Sequence, residues 1–125
     1  MRTTIVIGVI AAFFGVAQAT TYAQFCNDNA CNDGCGESVS VDNPGCLNEN
    51  GRQSIKFHDL NLAQVSLVFS PSPNCPCQNY CVDNILNCGT DFGLSCAGPS
   101  CYDLTTSPGA QSFRFIGSSC ESNNC

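Results

Sequence analysis

The sequence predicts a small, disulfide-rich, mainly β protein: one compact domain of short antiparallel strands joined by long loops. Three observations carry that expectation. An apolar leader implies export into an oxidising compartment. Twelve cysteines crowd the rest of the chain. Outside the leader, apolar residues recur at every second position, the period of a half-buried strand.

The leader comes first. Met1-Arg2-Thr3-Thr4 is a short positive start, Ile5 to Val16 is an apolar run, and Ala17-Gln18-Ala19 supplies small residues for cleavage. That is the layout of a secretory signal peptide. The run is shorter than the roughly 20 apolar residues a membrane-spanning helix needs. Residues 1–19 are therefore expected to be removed, with cleavage after Ala23 as the weaker alternative. Residues 20–125 form a single secreted, extracellular domain in this reading, with no membrane span in the mature protein.

All twelve cysteines lie beyond the leader: Cys26, Cys31, Cys35, Cys46, Cys75, Cys77, Cys81, Cys88, Cys96, Cys101, Cys120 and Cys125. They make up about 11% of that segment, above the roughly 8–10% that marks a disulfide scaffold. Their even number and the oxidising context predict that all of them pair. The connectivity is not readable, although Cys75-Pro76-Cys77 is expected to send its two cysteines to different partners. The spacing C-x4-C occurs at Cys26/Cys31, Cys96/Cys101 and Cys120/Cys125, but the flanks differ and no internal repeat is visible. Bridges contribute about 2–4 kcal/mol each by restricting the unfolded chain, and one at Cys125 would hold an end that otherwise frays.

The strands follow in order. Val39 and Val41 alternate with Ser38, Ser40 and Asp42, and Asn43-Pro44-Gly45 stops that strand with turn chemistry. Asn50-Gly51 marks another turn. From Ser54 to Leu60, Ile55 and Phe57 alternate with Lys56 and His58. Val65 to Ser70 is a more apolar strand, ended by Pro71-Ser72-Pro73. Tyr102 to Leu104 reads as a short strand. In Gln111 to Ile116, Phe113 and Phe115 share one face and Ser112 and Arg114 the other. A single stretch has helical spacing: Cys77, Cys81, Ile85 and Cys88 fall on one helix face, with three asparagines and Gly89 working against it.

The stretch Cys26 to Gly36, CNDNACNDGCG, admits three readings. An EF-hand register with Gly34 at its sixth position puts Cys31 and Ser40 where oxygen ligands belong, so it fails; a looser calcium site at Asp28, Asp33 and Glu37 stays open. A zinc site wants a close cysteine pair with a second Cys or His pair, and the chain has no C-x-x-C and one histidine. Tight turns between bridge anchors fit best, because Asn, Asp and Gly tolerate left-handed backbone. No metal and no cofactor are expected.

Catalytic signals are weak. His58 stands beside Asp59 and reads as a surface pair, no Gly-x-Ser-x-Gly elbow is present, and no two of the ten acids are singled out as a glycosidase pair. No catalytic residue is assigned. Without Arg2 the chain has three basic residues against ten acidic ones, a balance of −7. That argues against binding nucleic acid or an anionic membrane surface, both of which need a positive patch. Tyr22, Phe25, Tyr80 and Tyr102 could offer exposed rings to a glycan, or pack against the disulfides.

Leader, size, cysteine density, absent enzyme motif and the polar ending GSSCESNNC together resemble the small secreted cysteine-rich proteins of filamentous fungi, many of them effector-like. The chain lacks the adjacent Cys-Cys pairs of hydrophobins. The resemblance implies a non-enzymatic secreted protein that binds an extracellular protein or polysaccharide of a host or a cell wall. The expected contact regions are the loops Asn43–Gln53, Pro71–Pro76 and Asp91–Ser100, since binding residues favour loops on a rigid scaffold. Two alternatives are an inhibitor of an extracellular protease, using Pro71-Ser72-Pro73-Asn74, and a small secreted hydrolase.

Overall fold

The computed structural model describes residues 21–42, 44–59, 64–87 and 100–125. Residues 1–20, Asn43, Leu60 to Ala63 and residues 88–99, among them Cys88, Cys96 and most of the Asp91–Ser100 loop, lie outside these residues. Among the described residues there are eight strands: β1 (Tyr22–Cys26), β2 (Val39–Ser40), β3 (Cys46–Leu47), β4 (Ser54–His58), β5 (Ser66–Ser70), β6 (Tyr80–Val82), β7 (Cys101–Asp103) and β8 (Ser112–Ile116). They form two four-stranded antiparallel sheets, ordered β2-β1-β4-β7 and β3-β8-β5-β6.

The sheets pack face to face because the alternating apolar residues point inward. Ala23, Phe25, Ile55 and Phe57 of the first sheet share one core with Leu67, Phe69, Phe113 and Phe115 of the second. Phe25 meets Phe113 with ring centroids 5.2 Å apart, and Phe57 meets Phe115 edge-on at 6.1 Å. Burying each such side chain contributes roughly 1.5–3 kcal/mol, so these few rings supply much of the drive to fold. Phe25, expected as a ring that could be exposed, is in the core at 3% exposure; it faces inward from a strand the alternation did not reveal.

The two sheets are built by an internal repeat. Phe25 pairs with Ile55 and Cys26 with Ser54; Phe69 pairs with Phe113 and Ser70 with Ser112 in the same way. Outside the ladders the correspondence persists. Gln53 donates its amide to Cys26 O, and Gln111 donates to Ser70 O, both at 2.9 Å. Gly36 and Asn79 donate to Phe25 O and Phe69 O, and Val41 and Ile85 to Thr21 O and Val65 O. The chain therefore runs β1–β4 and then β5–β8, with the third strand of each unit exchanged: β3 pairs with β8 and β7 with β4. The fourth strand returns beside the first, as in a Greek key. This corrects the expectation of no repeat. The signal lies in Gln53-Ser54-Ile55-Lys56-Phe57 and Gln111-Ser112-Phe113-Arg114-Phe115, not in the cysteine spacing.

Two disulfides lock the exchange. Cys31 of the first unit bonds Cys101 of β7, and Cys75 of the second bonds Cys46 of β3, each with Cα atoms 5.9 Å apart. Cys26–Cys35 closes the first turn. Cys77–Cys125 and Cys81–Cys120 staple the C-terminal segment to β6 and the residues before it. Cys75 and Cys77 thus have different partners, and the last residue is tied down.

The segment with helical spacing is not a helix. Tyr80, Cys81 and Val82 form β6 against β5, and Asn84 and Asn87 take positive φ values of 49° and 50°, which end any helical course. The bridges at Cys77 and Cys81 and the sheet edge outweigh the spacing. Among the described residues the one helical element is a 3-10 turn, Leu104–Thr106, capped by the Asp103 side chain. None of them forms a helix long and apolar enough to cross a membrane.

Candidate functional site

One end of the sandwich gathers loops that are far apart in sequence. The β3–β4 loop and the β7–β8 loop occupy equivalent places in the two units. They meet over a cavity of about 360 Å³ lined by Asn50, Arg52, Pro71, Pro108 and Gln111, with Phe69 and Phe113 beneath. The loop at Pro71–Pro76 joins them. Cys46–Cys75 ties the start of the β3–β4 connection to the Pro71–Pro76 loop, and Asn48 and Asn74 exchange hydrogen bonds between the same two loops, Asn74 N–H donating to Asn48 Oδ1 at 2.8 Å. Two of the three expected contact loops are therefore adjacent, and the third lies outside the described residues except Ser100. The β7–β8 loop, residues 104–111, was not singled out by sequence. Its equivalence to the β3–β4 loop is the signal that finds it.

Buried serines hold the loops at this end. Ser54 Oγ accepts from Cys31 N–H at 3.1 Å and donates to Asp28 O at 2.6 Å. Ser112 Oγ accepts from Cys75 N–H at 2.9 Å and donates to Ser72 O at 2.6 Å. Each hydroxyl is thus inserted into a four-residue turn that ends on a cysteine with positive φ, 59° at Cys31 and 53° at Cys75. The turn at Ser72–Cys75 is tight, and Asn74 also has positive φ, at 69°. It is not the extended segment that the protease-inhibitor reading requires.

Arg52 is the one charged side chain lining the cavity. Its Nε donates to Glu49 Oε1 at 2.8 Å, and its NH1 donates to Asn27 Oδ1 and Gly34 O at 2.8 and 2.9 Å. It clamps the β3–β4 loop to the turn after β1, so the loop presents a set shape to solvent.

The Cys26–Gly36 stretch is a capped turn. Asp28 Oδ1 accepts from the amides of Asn32 and Asp33, both at 2.9 Å, and Oδ2 accepts from Ala30 at 3.3 Å. These bonds, that of Asp33 above all, hold the Asp28 carboxyl below its usual range. Its oxygens are turned to backbone amides, while Asp33 and Glu37 are exposed. Among the described residues no three His, Cys, Asp or Glu side chains are grouped to hold a metal.

Of the four aromatic candidates, Tyr22, Tyr80 and Tyr102 are half-buried. Tyr80 packs edge-on to Phe69, and Tyr22 stacks on His58 with centroids 5.6 Å apart. His58 does more than neighbour Asp59: its Nε2 lies 2.8 Å from Ser38 Oγ, and its Nδ1 lies 3.2 Å from Asp59 Oδ2.

No protein-family model, curated protein or solved structure matches this chain.

Proposed function

We propose that the protein is secreted and acts by binding, not by catalysis. Its contact surface is the loop pole around the 360 Å³ cavity, and its partner is an extracellular protein or polysaccharide of a host or a cell wall. The observation that supports this reading is the convergence of two equivalent loops, from β3–β4 and β7–β8, on one preorganised end. A disulfide, two inserted serines and the Arg52 clamp hold that end. Loops ordered before contact lose less entropy on binding, and binding residues favour loops on a rigid scaffold. The chain's charge of −7 without its leader favours partners with basic surfaces, through faster encounter more than through raw affinity.

The test uses the intact oxidised protein as bait on host extracellular fluid and on wall polysaccharide. It is run beside a variant carrying Asn50→Lys, Pro108→Lys and Gln111→Lys. Captured material that is lost with the variant, while its unfolding midpoint is unchanged, supports the loop pole. Capture that is equal for both proteins would overturn it.

A further inference from the structure

The structure assigns a reactive nucleophile to Ser38: we propose that Ser38, His58 and Asp59 form a covalent modification site that takes an acyl group from an activated carboxylic ester. This stands apart from the loop pole, since His58 is at the far end of β4 from Ser54. The bond order is that of a nucleophile, base and orienting acid. Ser38 Oγ is 2.8 Å from His58 Nε2, and His58 Nδ1 is 3.2 Å from Asp59 Oδ2. A hydroxyl within hydrogen-bond reach of an imidazole that a carboxylate orients is the structural signature of an activated serine. Two further features fix the imidazole. The Tyr22 ring stacks on it with an interplanar angle of 19°. Asp59 takes a φ of 57°, an uncommon conformation for a residue other than glycine, which accompanies the return of its carboxylate onto the preceding side chain. Ser38 itself is exposed and open to a reagent.

The internal repeat shows that the scaffold does not need this set. Val39 pairs with Ala23 as Val82 pairs with Leu67, so Ser38 corresponds to Cys81. His58 and Asp59 correspond to Ile116 and Gly117, and Tyr22 to Ser66. In the second unit these positions carry a strand end and the Cys81–Cys120 staple. The first unit has three polar groups in relay order there.

The step is a simple transfer. Ser38 Oγ attacks the acyl carbon as its proton passes to His58 Nε2. The bond from that carbon to the leaving oxygen breaks, and the departing alkoxide takes the proton from Nε2. Asp59 Oδ2 accepts the Nδ1–H and stabilises the imidazolium in between. The product is an ester on Ser38 and a free alcohol. The step ends at this stoichiometric product, which is compatible with a binding protein.

The test treats the oxidised protein with p-nitrophenyl acetate and follows intact mass and peptide mapping. One acetyl group is expected, on Ser38, in preference to the other exposed serines and to Lys56. It should be absent in Ser38→Ala. His58→Gln should slow its formation by at least about a hundredfold, the usual worth of a general base. Asp59→Asn should slow it as well, and Asn tolerates the left-handed backbone, so that variant keeps the fold. An acetyl group spread over several serines, a rate at Ser38 unchanged in His58→Gln, or no acetylation of the folded protein would each overturn the assignment. The hydrogen bonds would then serve only to clasp the segment before β2 to β4.

Discussion

Ser54 and Ser112 occupy equivalent positions in the two units, and each inserts its hydroxyl into a turn that ends on a left-handed, disulfide-bonded cysteine. Both side chains are fully buried. Removing either hydroxyl leaves a backbone N–H and a C=O without that partner, and an unsatisfied buried group costs about 1–3 kcal/mol. Ser54→Ala and Ser112→Ala are each expected to lose stability in that range, by similar amounts. Ser70 is the control: its hydroxyl is buried without a partner, so Ser70→Ala should be neutral or stabilising. Denaturant unfolding with the disulfides intact measures all three. A loss at Ser70 as large as at Ser112 would contradict the turn-insertion account.

The disulfide pattern gives a second prediction. Ten cysteines are consumed by the five described pairs. If all twelve cysteines pair, as their even number predicts, a Cys88–Cys96 bridge is expected outside the described residues. Alkylation should add no label before reduction and twelve after it, and peptide mapping should recover a Cys88–Cys96 peptide. The bridges should also differ in worth. In the chain-entropy picture, a bridge spanning 70 residues contributes more than one spanning 9. The formula gives about 4.4 against about 2.6 kcal/mol. Replacing Cys31 and Cys101 together by Ala should therefore lower the unfolding free energy more than replacing Cys26 and Cys35.

The fold was legible where strands are long enough to show their period. Ile55 and Phe57, Phe113 and Phe115, and the apolar run to Phe69 mark β4, β8 and β5 by alternation and turn residues. The alternation of Val39 and Val41 also marks β2, whereas β3 and β6 have two and three residues, too few for any periodicity. β1 alternates, but its inward Ala23 is small and its outward Tyr22 is aromatic, so apolar and polar faces blur. The helical spacing at Cys77, Cys81 and Ile85 misleads because two of those positions are set by bridges, not by a buried helix face. The candidate site was half legible. Turn residues mark Asn50-Gly51 and Pro71–Asn74 as loops, but only the strand exchange brings residues 104–111 beside them. His58 and Asp59 are adjacent in sequence, whereas Ser38 reaches them only across β1.

Acid should weaken the turn after β1. The amides of Asp33, Asn32 and Ala30 bond the ionised Asp28 carboxylate and lower its pKa from the ordinary value of 3.8. A carboxyl lowered by folding contributes stability that is complete above the unfolded value and fades as pH falls through the folded one. The contribution should therefore be constant at neutral pH and decline only below about 3.8. Asp28→Ala removes it. The variant should be less stable than the parent at pH 6, and the gap should narrow in strong acid. The carboxylate is open to solvent, so the difference is small, and amide exchange at Asn32 and Asp33 is the sensitive measurement. A gap that widened in acid would refute the capping account.

Gly34 couples this turn to the loop pole. Its φ is 63°, and an added Cβ would collide with the Asn27 side chain. That side chain accepts from Arg52, as does the Gly34 carbonyl. Gly34→Ala must therefore displace Asn27 and loosen the Arg52 clamp. Gly51, with φ 88° and open space around it, tests backbone strain alone, about 1 kcal/mol. The expected outcome is a larger loss for Gly34→Ala than for Gly51→Ala, together with shifted amide resonances at Glu49 to Gln53. Equal losses and an unmoved β3–β4 loop would show that Arg52 does not carry the coupling.

The exchanged third strands make the two units dependent on each other. In the first unit alone, β3 lacks β8, β4 lacks β7, and Phe25 and Phe57 lose the Phe113 and Phe115 rings they pack against. Neither residues 20–64 nor residues 65–125 should fold when made separately. Mixed and oxidised together, they should assemble. Loop closure is then intermolecular, but every strand pair and core contact is restored. The product should be a heterodimer linked by Cys31–Cys101 and Cys46–Cys75, the two bridges that cross between units. Far-UV circular dichroism of each half and of the mixture, with non-reducing mass analysis of the product, reads both points. A half that folds alone would mean that its own strands can close a core, and the exchange would then be decoration on two independent units, not the device that joins them.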